Sequence, residues 1–150
     1  MKYQQKPSLG AILAEYILEQ MTPDWLPKID FVIPIPLHPA KQRDRGYNQA
    51  AAIARAIATK RQIPVKEEGL QRVKFTRTQT KLTREERRDN MIGAFQLQDG
   101  NTLENSAVLL VDDVFTTGST MESAAHTLQS HGIIAVYGFT LAAAPLHDRS

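Results

Sequence analysis

Asp112 and Asp113 stand side by side after the apolar run Ala107 to Val111, and three positions on the chain reads Thr116-Thr117-Gly118-Ser119-Thr120. Two adjacent carboxylates at the end of an apolar strand repel each other and are poorly solvated unless something pairs with them. Vicinal hydroxyls of a ribose are one such partner, and a divalent cation is another. The following loop leads into a helix. A helix start offers unpaired backbone N–H groups and partial positive charge, which suit a phosphate. Gly118 lets the backbone approach closely, and Thr116, Thr117, Ser119 and Thr120 add hydroxyl donors. The loop has no lysine and no G-x-x-x-x-G-K-[ST] pattern, which excludes a nucleoside-triphosphate loop and fits a monophosphate held by neutral donors. Taken alone, the loop could be a plain helix cap and the acid pair a solvated strand end. Together, at this spacing, they spell a ribose 5-phosphate.

A second loop belongs beside the first. Phe31 to Ile35 forms a short apolar strand that ends in Pro36-Leu37-His38-Pro39. A polar, basic loop from Lys41 to Arg45 follows and closes at Gly46. Ligands of open α/β sheets sit beyond the carboxyl ends of the strands, and both loops fall at that edge. His38 either donates to a phosphate or serves only as a turn residue. His126, His131 and His147 have no metal-ligand spacing and are surface residues. A third feature is basic. Seven Lys or Arg residues between Arg72 and Arg88 face only Glu85 and Glu86. Such a run is either a solvated loop or a contact for several phosphates, single-stranded DNA included, with binding that falls steeply as salt rises.

The elements that must position these residues alternate. Leu9, Ile12, Leu13, Tyr16 and Ile17 recur at helical spacing and predict an amphipathic helix packed by that stripe. Lys2 and Lys6 before it resemble the start of a signal peptide, but Glu15 interrupts the apolar stretch. Thr22-Pro23-Asp24 and Pro27 break the chain. After the first strand, Ala50, Ile53, Ala54, Ile57 and Ala58 mark a second helix, with Lys60 and Arg61 at its cationic end and Pro64 as its stop. Strands are predicted over Val65–Val73 and Met91–Leu97, with Asp99-Gly100-Asn101 as a turn. Thr83 and Glu86 have capping-box spacing. Ala107 to Val111 is predicted as a strand buried on both faces, ended by the acid pair. Met121, Ala124, Ala125 and Leu128 share one side of the next helix, with Gly132 as its stop. Ile133 to Leu141 is the last strand. The fold class is α/β, a mostly parallel twisted sheet flanked by helices.

Composition agrees. The chain has 150 residues, 42% hydrophobic and 23% charged, a net charge of +2 and no cysteine. That is one domain: an N-terminal helix and linker over residues 1–27 and a core over 28–150. No disulfide, thiolate metal site or cysteine nucleophile is available, and a reducing, cytoplasmic setting fits. No window approaches a spanning helix.

The stretch Val108-Leu109-Leu110-Val111-Asp112-Asp113-Val114-Phe115-Thr116-Thr117-Gly118-Ser119-Thr120 resembles the 13-residue signature of type I phosphoribosyltransferases, which bind phosphoribosyl pyrophosphate (PRPP). Pro34-Ile35-Pro36-Leu37-His38, with Arg43 and Arg45-Gly46-Tyr47-Asn48-Gln49, is similar to a segment of the competence-associated ComF family. Thr78-Gln79, Leu82, Arg87, Asn90 and Ala94-Phe95 fit that family's middle segment. The resemblance implies a type I phosphoribosyltransferase fold. Asp112 and Asp113 would hold the ribose hydroxyls, and Thr116 to Thr120 the 5-phosphate. Leu37, His38, Arg43 and Arg45, in the loop from Pro36 to Arg45, would face pyrophosphate. The segment from Arg72 to Arg84 would be a flexible loop closing over the site, with Arg77, Lys81 and Arg84 as catalytic candidates beside the acid pair. Mg²⁺ would be carried by PRPP, with Asp112 and Asp113 as its only protein ligands if it has any. The reaction would displace pyrophosphate from the anomeric carbon by an unidentified nitrogen nucleophile. The alternative is a PRPP-sensing module that contacts DNA through Arg72 to Arg88, in keeping with that family's link to DNA uptake. A homodimer is compatible with either. The acceptor would meet a hood built from the N-terminal helix and C-terminal tail, where Tyr16 and Trp25 are expected to pack rather than stack on a base. ComF proteins usually begin with a cysteine-rich zinc module, so this cysteine-free chain is expected to be the transferase domain without it.

Overall fold

The computed structural model describes residues 9–20, 27–38, 40, 43–44, 47–73, 83, 85–86, 93–98 and 103–144. In chain order the elements are α1 (Leu9–Gln20), β1 (Phe31–Pro34), α2 (Gln49–Arg61), β2 (Leu70–Arg72), β3 (Phe95–Leu97), β4 (Ala107–Phe115), α3 (Ser119–Gln129) and β5 (Ala135–Ala143). β1, β4 and β5 form a parallel sheet with β4 in the centre, and β2 pairs with β3 antiparallel. Val65 extends the sheet by a single parallel bridge to Val32. The expected α/β class with a mostly parallel sheet is what forms.

Apolar residues of the sheet alternate between two cores. Val32, Leu109 and Val111 pack with Ile53, Ala54 and Ile57 of α2 and with Ala14 and Leu18 of α1. Ile33, Val108 and Leu110 face the other way, onto Leu70, Phe95 and the α3 residues Ala124 and Leu128. Both faces are covered, so β4 needs an unbroken apolar run rather than an alternating one.

Several expectations change, among them the third strand, which forms over Phe95–Leu97, and the last, which runs over Ala135–Ala143 rather than Ile133 to Leu141. β4 does not end at Val111. It continues through the acid pair to Phe115, because β5 pairs alongside as far as Phe115↔Ala143, with Asp112 opposite Thr140. The predicted strand over Val65–Val73 contracts to the Val65 bridge and β2. Pro64 is not the stop of α2. Gln62 ends it in a left-handed conformation, φ 56°, and its N–H bonds back to Thr59 O.

α1 forms, but with a different buried face. Gly10, Ala14 and Leu18 are buried, whereas Leu9, Ile12, Leu13 and Tyr16 are exposed. A Cβ on Gly10 would lie 3.1 Å from Gln49 Oε1 and 3.4 Å from Ile53 Cγ1. The two helices approach closely, and a small-residue line permits this where the bulkier stripe would hold them apart.

The stripe predicted for α2 is fully buried. The capping box forms: Thr83 N–H donates to Glu86 Oε2 (2.7 Å) and Glu86 N–H to Thr83 Oγ1 (3.2 Å). No helix among the described residues is long and apolar enough to cross a membrane.

Candidate functional site

Asp112 sits in β4 at the carboxyl edge of the sheet, partly buried. Its Oδ1 accepts the Asp113 N–H at 2.9 Å, and Asp113 Oδ1 accepts the Val114 N–H at 2.9 Å. Each carboxylate thus caps the backbone ahead of it, which fixes the pair's direction. Burial, followed by the side-chain hydrogen bond and the charge of Asp113, raises the Asp112 carboxyl from 3.8 to about 7, against the lowering effect of the Asp113 N–H bond. Attraction to Arg72 works the other way.

β4 leads through Thr116 and Thr117 to Gly118, which takes φ 83° as the N-cap of α3. No side chain caps this helix start. Thr117 Oγ1 and Ser119 Oγ lie 2.8 Å apart and bond each other. Thr116, Gly118 and Thr120 line a small cavity together with Asp112, Phe115 and Thr140. Its donors are hydroxyls and helix-start N–H groups, the set that suits a phosphate monoester.

A second, larger cavity adjoins the acid pair. Ile35, Pro36 and Leu37 form one wall, Asn48 and Gln49 at the start of α2 another, and Arg72 of β2 a third. Asp112 and Thr120 line both cavities, and Asp113 the second. Asn48 builds the second wall. Its Nδ2 donates to Ile35 O at 3.0 Å, and its Oδ1 accepts the Ala50 N–H at 3.0 Å. One side chain therefore caps α2 and ties it to the end of β1.

Of the residues singled out from the sequence, Asp112, Asp113, Thr116, Gly118, Thr120 and Leu37 converge on these cavities. Thr117, Ser119 and His38 line neither: the first two bond each other, and His38 Nδ1 accepts the Ala40 N–H at 3.2 Å. Arg43 is exposed and lines neither cavity. Arg45, Arg77, Lys81 and Arg84 lie outside the described residues. His126 and His131 are exposed, as expected. Arg72 is the residue that sequence reasoning missed. It stood only as the first of a run of cations, and nothing local separates it from the others.

Among the described residues no cluster of three or more His, Asp, Glu or Cys could hold a metal. Two carboxylates beside an open cleft fit a hard cation that keeps waters and takes most of its ligands from a substrate.

A parallel α/β sheet carrying an acid pair and a neutral phosphate loop at its carboxyl edge defines a phosphoribosyltransferase-type domain. The family model "Phosphoribosyl transferase domain" matches residues 43–145. The chain belongs to that family, within its ComF branch. Competence protein F of Haemophilus influenzae is 39% identical over 114 residues, which are 74% of this chain and 50% of that protein. DNA utilization protein YhgH of Salmonella typhi is 28% identical over 140 residues, 91% of this chain and 61% of that protein. The chain thus spans half to three fifths of these relatives. In fold it is similar to a glutamine phosphoribosylpyrophosphate amidotransferase from B. subtilis, with a TM-score of 0.58 at 19% identity over 88% of this chain and 26% of that one.

Proposed function

We propose that this domain binds PRPP across the two neighbouring cavities and transfers its ribose 5-phosphate to a nucleophile, with release of pyrophosphate. The observation that carries this reading is the sharing of Asp112 and Thr120 between the cavities. A ligand whose phosphate enters the smaller cavity has its ribose hydroxyls at the acid pair. Its 1-substituent then points into the larger one. The loop at Thr116 to Thr120 orients the donor, and Asp112 and Asp113 hold the ribose ring by charge-assisted hydrogen bonds of about 1.5–3 kcal/mol each. Ionised, Asp112 accepts from a hydroxyl most strongly, so donor binding favours its charged form. Mg²⁺, carried in on the donor, supplies charge neutralisation on the departing pyrophosphate. The structural neighbour is named for PRPP and the relatives for competence and DNA utilization; the whole protein's work in DNA use is proposed on that basis.

Isothermal titration of PRPP with Mg²⁺ into wild type and the double variant Asp112→Asn/Asp113→Asn tests the site. Binding is expected in the first and lost in the second, and equal binding to both overturns it. Release of pyrophosphate across a panel of bases, amines and nucleic acids then tests turnover. No release with any acceptor leaves a PRPP-binding module rather than a transferase.

A further inference from the structure

β5 is an edge of the main sheet, and nothing among the described residues pairs with its outer side. The opposite edge is guarded. Val32 N–H of β1 donates to Pro64 O at 3.0 Å, and Lys66 N–H donates to Val32 O at 2.8 Å. On β5, Ile134 N–H donates to Ser106 O at 3.1 Å and Ala144 N–H to Phe115 O at 2.8 Å, so even-numbered residues turn their backbone groups toward β4. With a period of two, Ala135, Tyr137, Phe139, Leu141 and Ala143 turn theirs outward.

A row of this kind is a template for another chain, and folded proteins guard it with charge, proline, a bulge or a short strand. β5 has none of these guards. It is nine residues long, AVYGFTLAA, without a charge or a proline. Its register against β4 holds from Ala107↔Ala135 to Phe115↔Ala143 without an extra residue. Phe139 and Leu141 pack on the core cluster that holds Ala14 and Leu18 of α1, while Tyr137 is 40% exposed. α1 also leaves Ile12, Leu13 and Tyr16 exposed, which adds uncovered apolar surface to that layer.

The strand is its own complement. Two copies running antiparallel about a two-fold axis at Phe139 set Tyr137 opposite the partner's Leu141 and Ala135 opposite the partner's Ala143. Aromatic and aliphatic side chains then meet on one face, and each outward residue exchanges both of its backbone bonds. An antiparallel strand at the edge of a parallel sheet is a common arrangement. A two-fold pairing also closes on itself, leaving no edge for a third copy. A nine-residue strand is ~30 Å long, about the width of a standard interface of roughly 800 Å² per partner. The net charge of +2 opposes the approach of a second copy only weakly. The pairing would also brace the acid pair. β1 stops opposite Val111, so in the sheet Asp112 to Phe115 lean on β5 alone.

We infer that the outer edge of β5 is an interaction surface for a second copy of this chain, and that antiparallel β5–β5 pairing joins two three-stranded sheets into one.

Sedimentation equilibrium of wild type, Tyr137→Phe and Tyr137→Lys over a concentration series tests it. Wild type is expected to pass from one chain mass to two as concentration rises, and Tyr137→Phe to match it within about twofold. Tyr137→Lys puts a charge on the edge of each copy and is expected to weaken the dimer roughly tenfold or more. Wild type at one chain mass throughout overturns the inference. So does growth beyond two chains, and so does a Tyr137→Lys dimer as tight as wild type, which places the contact on another surface. Should Tyr137→Lys fail to fold, amide hydrogen exchange of wild type decides. The outward N–H groups of Tyr137, Phe139 and Leu141 are expected to slow roughly tenfold or more between the dilute and concentrated ends, and those of Gly138 and Thr140, already turned to β4, to change less. Outward and inward amides that respond alike overturn the inference. Outward amides that exchange slowly at every concentration also overturn it, because the edge is then covered from within the chain.

Discussion

Asp112 holds its charge in a place that disfavours charge. Its carboxyl is raised from 3.8 to about 7, first by burial and then by Asp113. The folded state therefore keeps a proton that the unfolded chain gives up. The extra stability from this group is full below about pH 4 and is lost as pH rises to about 7. Asp112→Asn removes that dependence. Without ligand, the variant is expected to gain on wild type from about pH 4 to about pH 7, by up to about 4 kcal/mol, and by no more above that. Urea unfolding of both proteins across this range checks it, and parallel curves would refute it. Gly118 is constrained differently. Its φ of 83° suits glycine, and an added Cβ would sit 2.8 Å from Phe115 Cζ. Gly118→Ala is expected to lose about 1–2 kcal/mol and to weaken ribose 5-phosphate. Adding Phe115→Ala should return the steric part of that loss and leave the backbone part. Full recovery in calorimetric Tm would show that φ is not the constraint. Both residues were legible in the sequence, because their chemistry and spacing are local.

At the scale of elements, the site depends on how β1 meets α2. Asn48 makes that joint with two 3.0 Å hydrogen bonds. Asn48→Ala is expected to cost about 1–2 kcal/mol by loss of the cap. Asn48→Ser should recover part of it, since a serine hydroxyl caps but does not reach Ile35 O; identical urea midpoints for the two variants would contradict this. The α1–α2 contact gives a second expectation. Gly10→Val, set against Gln49 and Ile53, is expected to destabilise by about 1–3 kcal/mol. Leu9→Ser, at a position 72% exposed, is expected to stay within about 0.5 kcal/mol. The opposite ranking would restore the apolar-stripe face. Periodicity could not find the buried face, because which line of a helix packs depends on how closely its partner comes. Here α2 comes close enough for Gly10 and Ala14 to win over Ile12 and Leu13.

Across the whole molecule, three bodies of structure meet at one cleft. β4 with its loop brings the acids and the phosphate donors. β1 with α2 brings Leu37 and Asn48, and β2–β3 brings Arg72. A ligand that spans them ties together elements far apart in sequence. PRPP with Mg²⁺ at about one hundred times its dissociation constant is expected to add about 2.7 kcal/mol to unfolding stability. Thermal unfolding with and without the donor reads this as a rise in Tm, absent in Asp112→Asn/Asp113→Asn. A Tm that ignores the donor in wild type would count against that site.

The parallel α/β class, the α2 stripe, the Thr83–Glu86 box and the acid pair with its loop can all be read directly from the chain. Each of these is written in residues a few positions apart, where periodicity, capping and turn chemistry act. That β4 runs on through Asp112 to Phe115 follows only from the folded molecule, since the length of β5 beside it sets that end. Only tertiary packing turned Gly10 and Ala14 inward. Only it singled out Arg72 from a run of like cations, by packing Phe95 into the core more than twenty residues along the chain and placing Arg72 on the cavity that Asp112 also lines. Contacts of that kind are made across space by burial and charge, and no local pattern in the chain encodes them.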